Sequence, residues 1–205
     1  MIAALYVQAA GCYANLPGVD LWPISRDART YPGPWPVVAH PDCKRWGRFW
    51  HGSTRKPHQF KMGDDDGQFA AALGSARQWG GVIEHPKDSH AWDKKFFDLT
   101  KPPRDGGWVE ADNFGGWTCC VEQGKYGHLA NKPTWLLAYK IVRPELRWGR
   151  GAQRIHPRAL ELHGYEKARR VGMMAMCGGK TKTEDREATT PEFRDALLEM
   201  ARSVR

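Results

Sequence analysis

Short apolar runs punctuate a polar chain rich in glycine and proline, and their lengths are those of strands. AALYVQ (3–8), WPVVAH (35–40) and GVIEHP (81–86) are continuous rather than alternating, which predicts strands buried on both faces. GGWTCCVEQG (115–124) and PTWLLAYKIV (133–142) predict two more, joined by KYGHLANK. Helical spacing occurs twice. In DDDGQFAAALGSARQWG (64–80) Phe69, Leu73, Ala76 and Gly80 recur on one face, acids lead the first turn, and Gly80-Gly81 ends it. In TTPEFRDALLEMARSV (189–204) Thr190 stands at the N-cap, Pro191 fits the first turn, and Phe193, Leu197, Leu198 and Ala201 share a face. Residues 51–63 read as a loop and 87–113 as a long irregular excursion.

Buried strands alternating with helices argue for an α/β fold: one domain, with a Rossmann-like, mostly parallel sheet covered by helices on both faces. The expected division is a core over 1–142, a basic insertion over 143–188, and a C-terminal helix over 189–205 packing back on the core. No internal repeat is visible.

Composition narrows the function. The 205 residues suffice for one domain with a real core. No apolar run approaches the ~18 residues that span a bilayer, so no membrane partner is expected. MIAALYVQAAGCYANL lacks the basic start of a secretory signal and reads as part of the fold. Five cysteines form no framework, which points to reduced thiols and a cytoplasmic location. They contain no C-x-x-C pair, and the adjacent Cys119 and Cys120 would point to opposite faces of one strand, so no metal site is expected. The net charge of +8 is uneven: Ile141 to Lys182 holds ten Lys/Arg against three Glu. Such clustering is the footprint of a polyphosphate partner, nucleic acid or nucleotide, with a solubilising surface as the plain alternative. Some of the ten tryptophans could stack on bases. Nothing asks for an obligate protein partner.

Ligands of open α/β sheets bind at the carboxyl ends of the strands. Cys43 falls just past one predicted strand and Glu84 ends another. If the strands are neighbours, a thiol and a carboxyl share a crevice. That pair suits covalent catalysis on an electron-poor ring: the thiolate adds, and a protonated carboxyl supplies a hydrogen bond or proton to a ring nitrogen. The plain alternative is a small packing thiol and a strand-end charge. His40, His85 and His128 flank the proposed crevice, where each could meet substrate or satisfy loop backbone.

HPDC (40–43) resembles the Pro-Cys nucleophile loop of DNA cytosine-C5 methyltransferases, and VIEHP (82–86) resembles their Glu-Asn-Val strand end. EQGKYGHLANKPTWLLA (122–138) is similar to their Tyr-Gly, Gln and basic segment leading into a strand. ATTPEFRDALLEMA (188–201) resembles their last motif without its Gly-Asn. The order along the chain is the family's, and the likeness is greatest to short members from phages and mobile elements. The resemblance implies a DNA-modifying transferase of a bacterial or phage-infected cell. Cys43 would attack C6 of a flipped pyrimidine, Glu84 would hold N3 and the exocyclic amine, and C5 would take a methyl from S-adenosylmethionine. Lys132 falls where the family has an arginine. His40, Lys44, Arg45, His85, Gln123, Tyr126 and His128 become substrate-facing candidates. Tyr6, Gly11, Asp20 and Asp27 become cofactor candidates.

Three departures qualify this picture. Asp42 replaces the usual proline; its charge raises the thiol pKa, or the residue takes the C5 proton. The Phe-x-Gly-x-Gly-Gly loop is reduced to Gly11 and Gly18, and the short span from Gln8 to Cys43 leaves a strand–helix unit missing or compressed. The large target-recognition lobe is replaced by the basic stretch, which predicts low sequence specificity or a single-stranded or mononucleotide substrate. The alternatives are another electrophile or water at the same pyrimidine, giving hypermodification or deamination, and an impaired relative that only binds nucleic acid.

Overall fold

The structure is a computed structural model that describes residues 1–52, 60–128, 130–151, 155, 157–171 and 187–205. The elements are β1 (Ile2–Leu5), β2 (Val19–Trp22), β3 (Val37–Ala39), α1 (Gln68–Trp79), β4 (Gly81–Pro86), β5 (Val109–Glu110), β6 (Gly116–Glu122), β7 (Pro133–Tyr139), α2 (Pro157–Val171) and α3 (Pro191–Arg202). The strands form one sheet in the order β2-β1-β3-β4-β7-β6-β5. The ladders linking β2, β1, β3 and β4 are parallel; those of β7 with β4 and β6, and of β5 with β6, are antiparallel. Five strands therefore run one way, with β7 reversed inside them and β5 at the edge. The expected mostly parallel sheet is thus a mixed one, its parallel half β2-β1-β3-β4 joined to an antiparallel half.

Alternation along the strands sorts the core into two layers. Ala3, Leu5, Val37, Ala39, Ile83, Cys120, Trp135 and Leu137 pack with Phe69, Leu73 and Ala76 of α1. Ile2, Ala4, Val38, Val82, Cys119, Val121, Leu136 and Ala138 pack with Phe193, Leu197 and Ala201 of α3. A period of two sends neighbours to opposite faces, so Cys119 and Cys120 part as expected. One helix covers each face.

Local chemistry sets the boundaries. Thr190 caps α3, its side chain accepting the amide of Phe193. The α1 helix starts at Gln68, later than its acidic run implied. The buried Asp65 carboxylate takes the amides of Gly67 (3.0 Å) and Phe69 (2.9 Å), which makes the acids a turn before the helix. Gly81 opens β4 at φ +118°, where an added Cβ would lie 2.0 Å from the Val37 carbonyl oxygen. Only glycine lets β3 and β4 approach this closely.

The suspected missing unit is half present. VDLW forms β2 beside β1, but turns replace the helix that would join them. The chain steps outward from β1 to β2, then returns past β1 to β3. In open α/β sheets such a reversal marks the place, at the carboxyl ends of β1 and β3, where ligands bind. In the basic stretch, α2 breaks at Gly164 (φ 70°, ψ 166°). Arg154, Cys177, Lys180 and Lys182 of the sequence argument lie outside the described residues. No described helix is long and apolar enough to cross a membrane.

Candidate active site

Beyond β3, the His40 amide still bonds to the Leu5 carbonyl (3.1 Å), and the chain then turns away from the sheet. The Asp42 amide donates to Oε1 of Gln68, the first residue of α1 (3.2 Å). The Asp42 carboxylate accepts the Lys44 amide (3.0 Å). The amides of Trp46 and Gly47 both reach the Cys43 carbonyl (3.1 and 3.0 Å). Trp46 anchors this turn. Its indole N–H donates to Asp65 (2.8 Å), and its ring packs on Phe69, Phe96 and Phe97. The result holds Cys43 at the surface with its thiol exposed.

Glu84 stands within the neighbouring strand β4, one residue past the last residue that pairs with β3, and two more residues of β4 follow it rather than the strand ending there as expected. Oε2 faces His40 Nδ1 at 3.1 Å, and Oε1 accepts from Gln123 Nε2 at 3.0 Å. Gln123 also donates to Thr134 Oγ1 (2.9 Å), whose hydroxyl donates to the Lys132 carbonyl (3.0 Å). On its other side His40 Nε2 lies 2.9 Å from the Tyr13 hydroxyl. The chain Tyr13–His40–Glu84–Gln123–Thr134 thus crosses the crevice and leaves each Glu84 oxygen a lone pair for a ligand. His40 and Glu84 keep 14% of their side chains open to solvent.

The electrostatics are distinctive. Burial alone would raise the Glu84 pKa, but the His40 hydrogen bond and charge, with Lys132 and His85, hold it down to about 2. Glu84 is therefore a carboxylate at neutral pH, which corrects the expected protonated acid. The Cys43 thiol is pushed up to about 11, first by desolvation within the recess, then by Glu84, and then by Asp42. The sequence argument had the sign of the Asp42 effect right, but Glu84 across the sheet outweighs the adjacent residue. Lys132 (φ +42°) donates to the Ala188 carbonyl (2.9 Å). Burial lowers its pKa against the pull of Glu84 and Cys43, so its charge bears on both.

Other expected site residues lie elsewhere. His85 is fully buried on the α1 face, Nδ1 on Ser89 Oγ (2.8 Å) and the ring against Phe69 and Trp92. Burial pushes its pKa down to about 4, so it is neutral and structural. Tyr126 is buried against Phe193, its hydroxyl accepting the Arg147 amide (3.0 Å). His128 is buried with Nδ1 on the Ala130 backbone. Gln123 positions Glu84 and is itself buried. Lys44 is exposed beside Cys43, and the Arg45 guanidinium covers Phe60 at 3.5 Å. Tyr13, which nothing in the sequence marked, belongs to the site through His40.

At the donor end the residues do not fit S-adenosylmethionine as the resemblance implies. Both Asp20 oxygens are taken, by the Trp22 indole (2.8 Å) and Arg26 (2.6 Å), and Asp20 pairs with Ala3 inside β2 rather than ending the strand. Asp27 caps a turn and holds Arg29 (2.7 Å). Gly11 closes a single tight turn on Gln8. The Tyr6 hydroxyl is buried without a partner, its pKa raised by burial, then by Asp27 and Asp65. Among the described residues no three His, Cys, Asp or Glu side chains gather to hold a metal.

Comparisons with protein-family models, curated proteins and solved structures found no match to this chain.

Proposed function

We propose that the chain modifies a pyrimidine base in nucleic acid by covalent catalysis through Cys43, on a Rossmann-like core of cytosine-C5 methyltransferase type. One observation carries the reading: Cys43 is exposed on the turn after β3, three residues past His40, whose Nδ1 lies 3.1 Å from the oriented Glu84 carboxylate of β4. The strand-order reversal between β1 and β3 supports it, since crevices of such sheets hold ligands.

The chemistry follows from those groups. The Cys43 S–H bond breaks as the sulfur bonds to C6; its proton passes by way of Glu84 to N3 as the C5–C6 π pair shifts, leaving an enamine nucleophilic at C5. Glu84, ionised, accepts hydrogen bonds from the exocyclic amine and from N3 once N3 carries a proton. C5 then bonds to an electrophile; loss of the C5 proton and of the C6–S bond restores ring and thiol. Asp42, beside the thiol, is the base nearest in sequence for that proton.

The deciding experiment uses an oligonucleotide carrying 5-azacytosine, whose ring nitrogen at position 5 takes a proton and needs no group donor. The protein is expected to form a covalent adduct that Cys43→Ala loses; no adduct at any pH up to 10 overturns the reading. Nucleoside mass spectrometry of DNA from cells making the protein then identifies the transferred group. Calorimetric titration with S-adenosylmethionine decides whether a methyl is the group.

A second reading has its own support. With the thiol at about 11, only about one molecule in ten thousand carries a thiolate at neutral pH. A binding protein that has lost its chemistry would tolerate this. It predicts that Cys43→Ala binds nucleic acid normally and abolishes no product.

A further inference from the structure

The turn bearing Cys43 continues into a surface that the chemistry does not use. Phe49 is 67% exposed and Phe60 37% exposed, although both are large apolar side chains. Each carries a guanidinium, Arg48 over Phe49 at 5.6 Å and Arg45 over Phe60 at 3.5 Å. Lys44, Arg48 and Lys61 are exposed around them, and Lys95 lies over Phe96 at 5.1 Å on the same aromatic base. Among the described residues, none of these four cations makes an ion pair. The acids around this turn are Asp42, which accepts the Lys44 amide, Asp65, which accepts the Trp46 indole, Asp93, which pairs with His90 and Lys101, and the chain neighbours Asp64 and Asp66.

This patch is fixed rather than loose. Gly63 N bonds to the Arg45 carbonyl (3.0 Å), His90 N to the Trp46 carbonyl (2.8 Å), and Trp50 N to the Gly47 carbonyl (3.0 Å). The buried Trp46 lies beneath. Backbone hydrogen bonds thus hold a turn that presents exposed aromatic side chains among cations without an ion pair among the described residues, in the stretch that follows Cys43.

We propose, resting on the function above, that residues 44–49 with Phe60 and Lys61 hold a single-stranded polynucleotide, and that this makes single strands the preferred substrate. Phe49 stacks the base of a nucleotide neighbouring the one at Cys43, while Lys44, Arg48 and Lys61 take its phosphates. An aromatic face exposed to solvent gains from a base only if that base is unstacked, which a duplex interior does not offer. Six residues in helical turns span on the order of 10 Å, the length of about three stacked bases. Both nucleotides then belong to one short segment.

The test measures binding of a labelled 12-nucleotide single strand of DNA, its RNA counterpart and the DNA duplex, across a salt series. Single strands should bind at least about tenfold tighter than the duplex. Phe49→Ala should lose about tenfold on single strands, with Phe49→Trp restoring it. Lys44→Gln and Arg48→Gln should each flatten the salt slope by about one. The tighter of the DNA and RNA strands names the polymer. Equal or tighter duplex binding, or an unchanged Phe49→Ala, overturns the proposal. Capture of free 5-azacytidine monophosphate by Cys43, followed in the same variants, reports the chemistry separately. Capture intact with Phe49 irrelevant removes this inference alone; capture absent with Phe49-dependent binding removes the enzymatic reading alone.

Discussion

His40 Nδ1 lies 3.1 Å from Glu84 Oε2, so the residue three positions before the thiol grips the carboxylate of the next strand. The contact ties the ends of β3 and β4 into one unit and keeps Glu84 ionised, while Glu84 in turn holds the thiol protonated. Substrate that hydrogen-bonds Glu84 would draw its charge away from the sulfur.

Glu84→Gln should therefore lower the Cys43 pKa, by roughly one unit on removal of a nearby like charge. Alkylation of Cys43 by iodoacetamide at pH 8, followed on the Cys43 peptide by mass spectrometry, should quicken about tenfold. Asp42→Asn should act in the same direction but less. Asparagine is preferable to proline here because the Asp42 amide is used by Gln68. An Asp42→Asn effect exceeding that of Glu84→Gln would contradict the assigned order.

His85 gives a pH signature of stability. Its pKa falls from 6.5 to about 4 on folding, so the unfolded chain binds the extra proton between those values. The contribution is whole above pH 6.5 and is lost as pH falls toward 4. Between pH 6.5 and 4.5 this amounts to about 2 kcal/mol, to which Glu84, ionised in the folded protein but with an ordinary pKa of 4.5 when unfolded, begins to add at the acid end. Urea denaturation at stepped pH should show the fall, and His85→Phe should flatten it.

Trp46 and Asp65 support the turn. Trp46→Ala should cost about 3–5 kcal/mol, through a cavity among Phe69, Phe96 and Phe97. Asp65→Ala frees two amides and an indole N–H, each otherwise bonded, and should cost about 2 kcal/mol or more. Both should also raise proteolytic cutting within residues 43–50; cutting unchanged from wild type would disconnect the anchor from the turn.

Gly81→Ala should leave little folded protein, since its Cβ meets Val37 backbone and φ is +118°. Gly74→Ala is the control. Within α1, with open space at its Cβ, it should stabilise by about 0.5–1 kcal/mol in thermal melts.

What the sequence disclosed was what continuous apolar runs can disclose: β1, β3, β4, β6, β7, α1 and α3, and the placing of Cys43 just past β3; Glu84, expected to end its strand, is followed by two more residues of β4. It missed β2 because VDLW is a half-buried edge strand carrying an aspartate rather than a continuous apolar run, and β5 because two residues carry no period. His85 was misassigned although the needed rule was at hand. Strand alternation puts it with Ile83 on the α1 face, opposite Glu84. Tyr13 and Gln123 owe their roles to hydrogen bonds spanning 27 and 39 residues, which no local pattern records. The S-adenosylmethionine end stayed opaque because Asp20 is disarmed by Arg26 and Trp22, a fact of side-chain geometry.

The helix α3 lies far downstream of the strands it covers: Arg194 reaches back 182 residues to the Cys12 carbonyl. A ribosome working at 5–20 residues per second needs about 10–40 s to make that span. Throughout that interval Ile2, Ala4, Val38 and Val82 have no lid, so the nascent chain presents an oily ledge to its surroundings. Output of this protein in a host should therefore depend on trigger-type chaperones far more than on codon choice, and slowing translation should lower the yield rather than raise it.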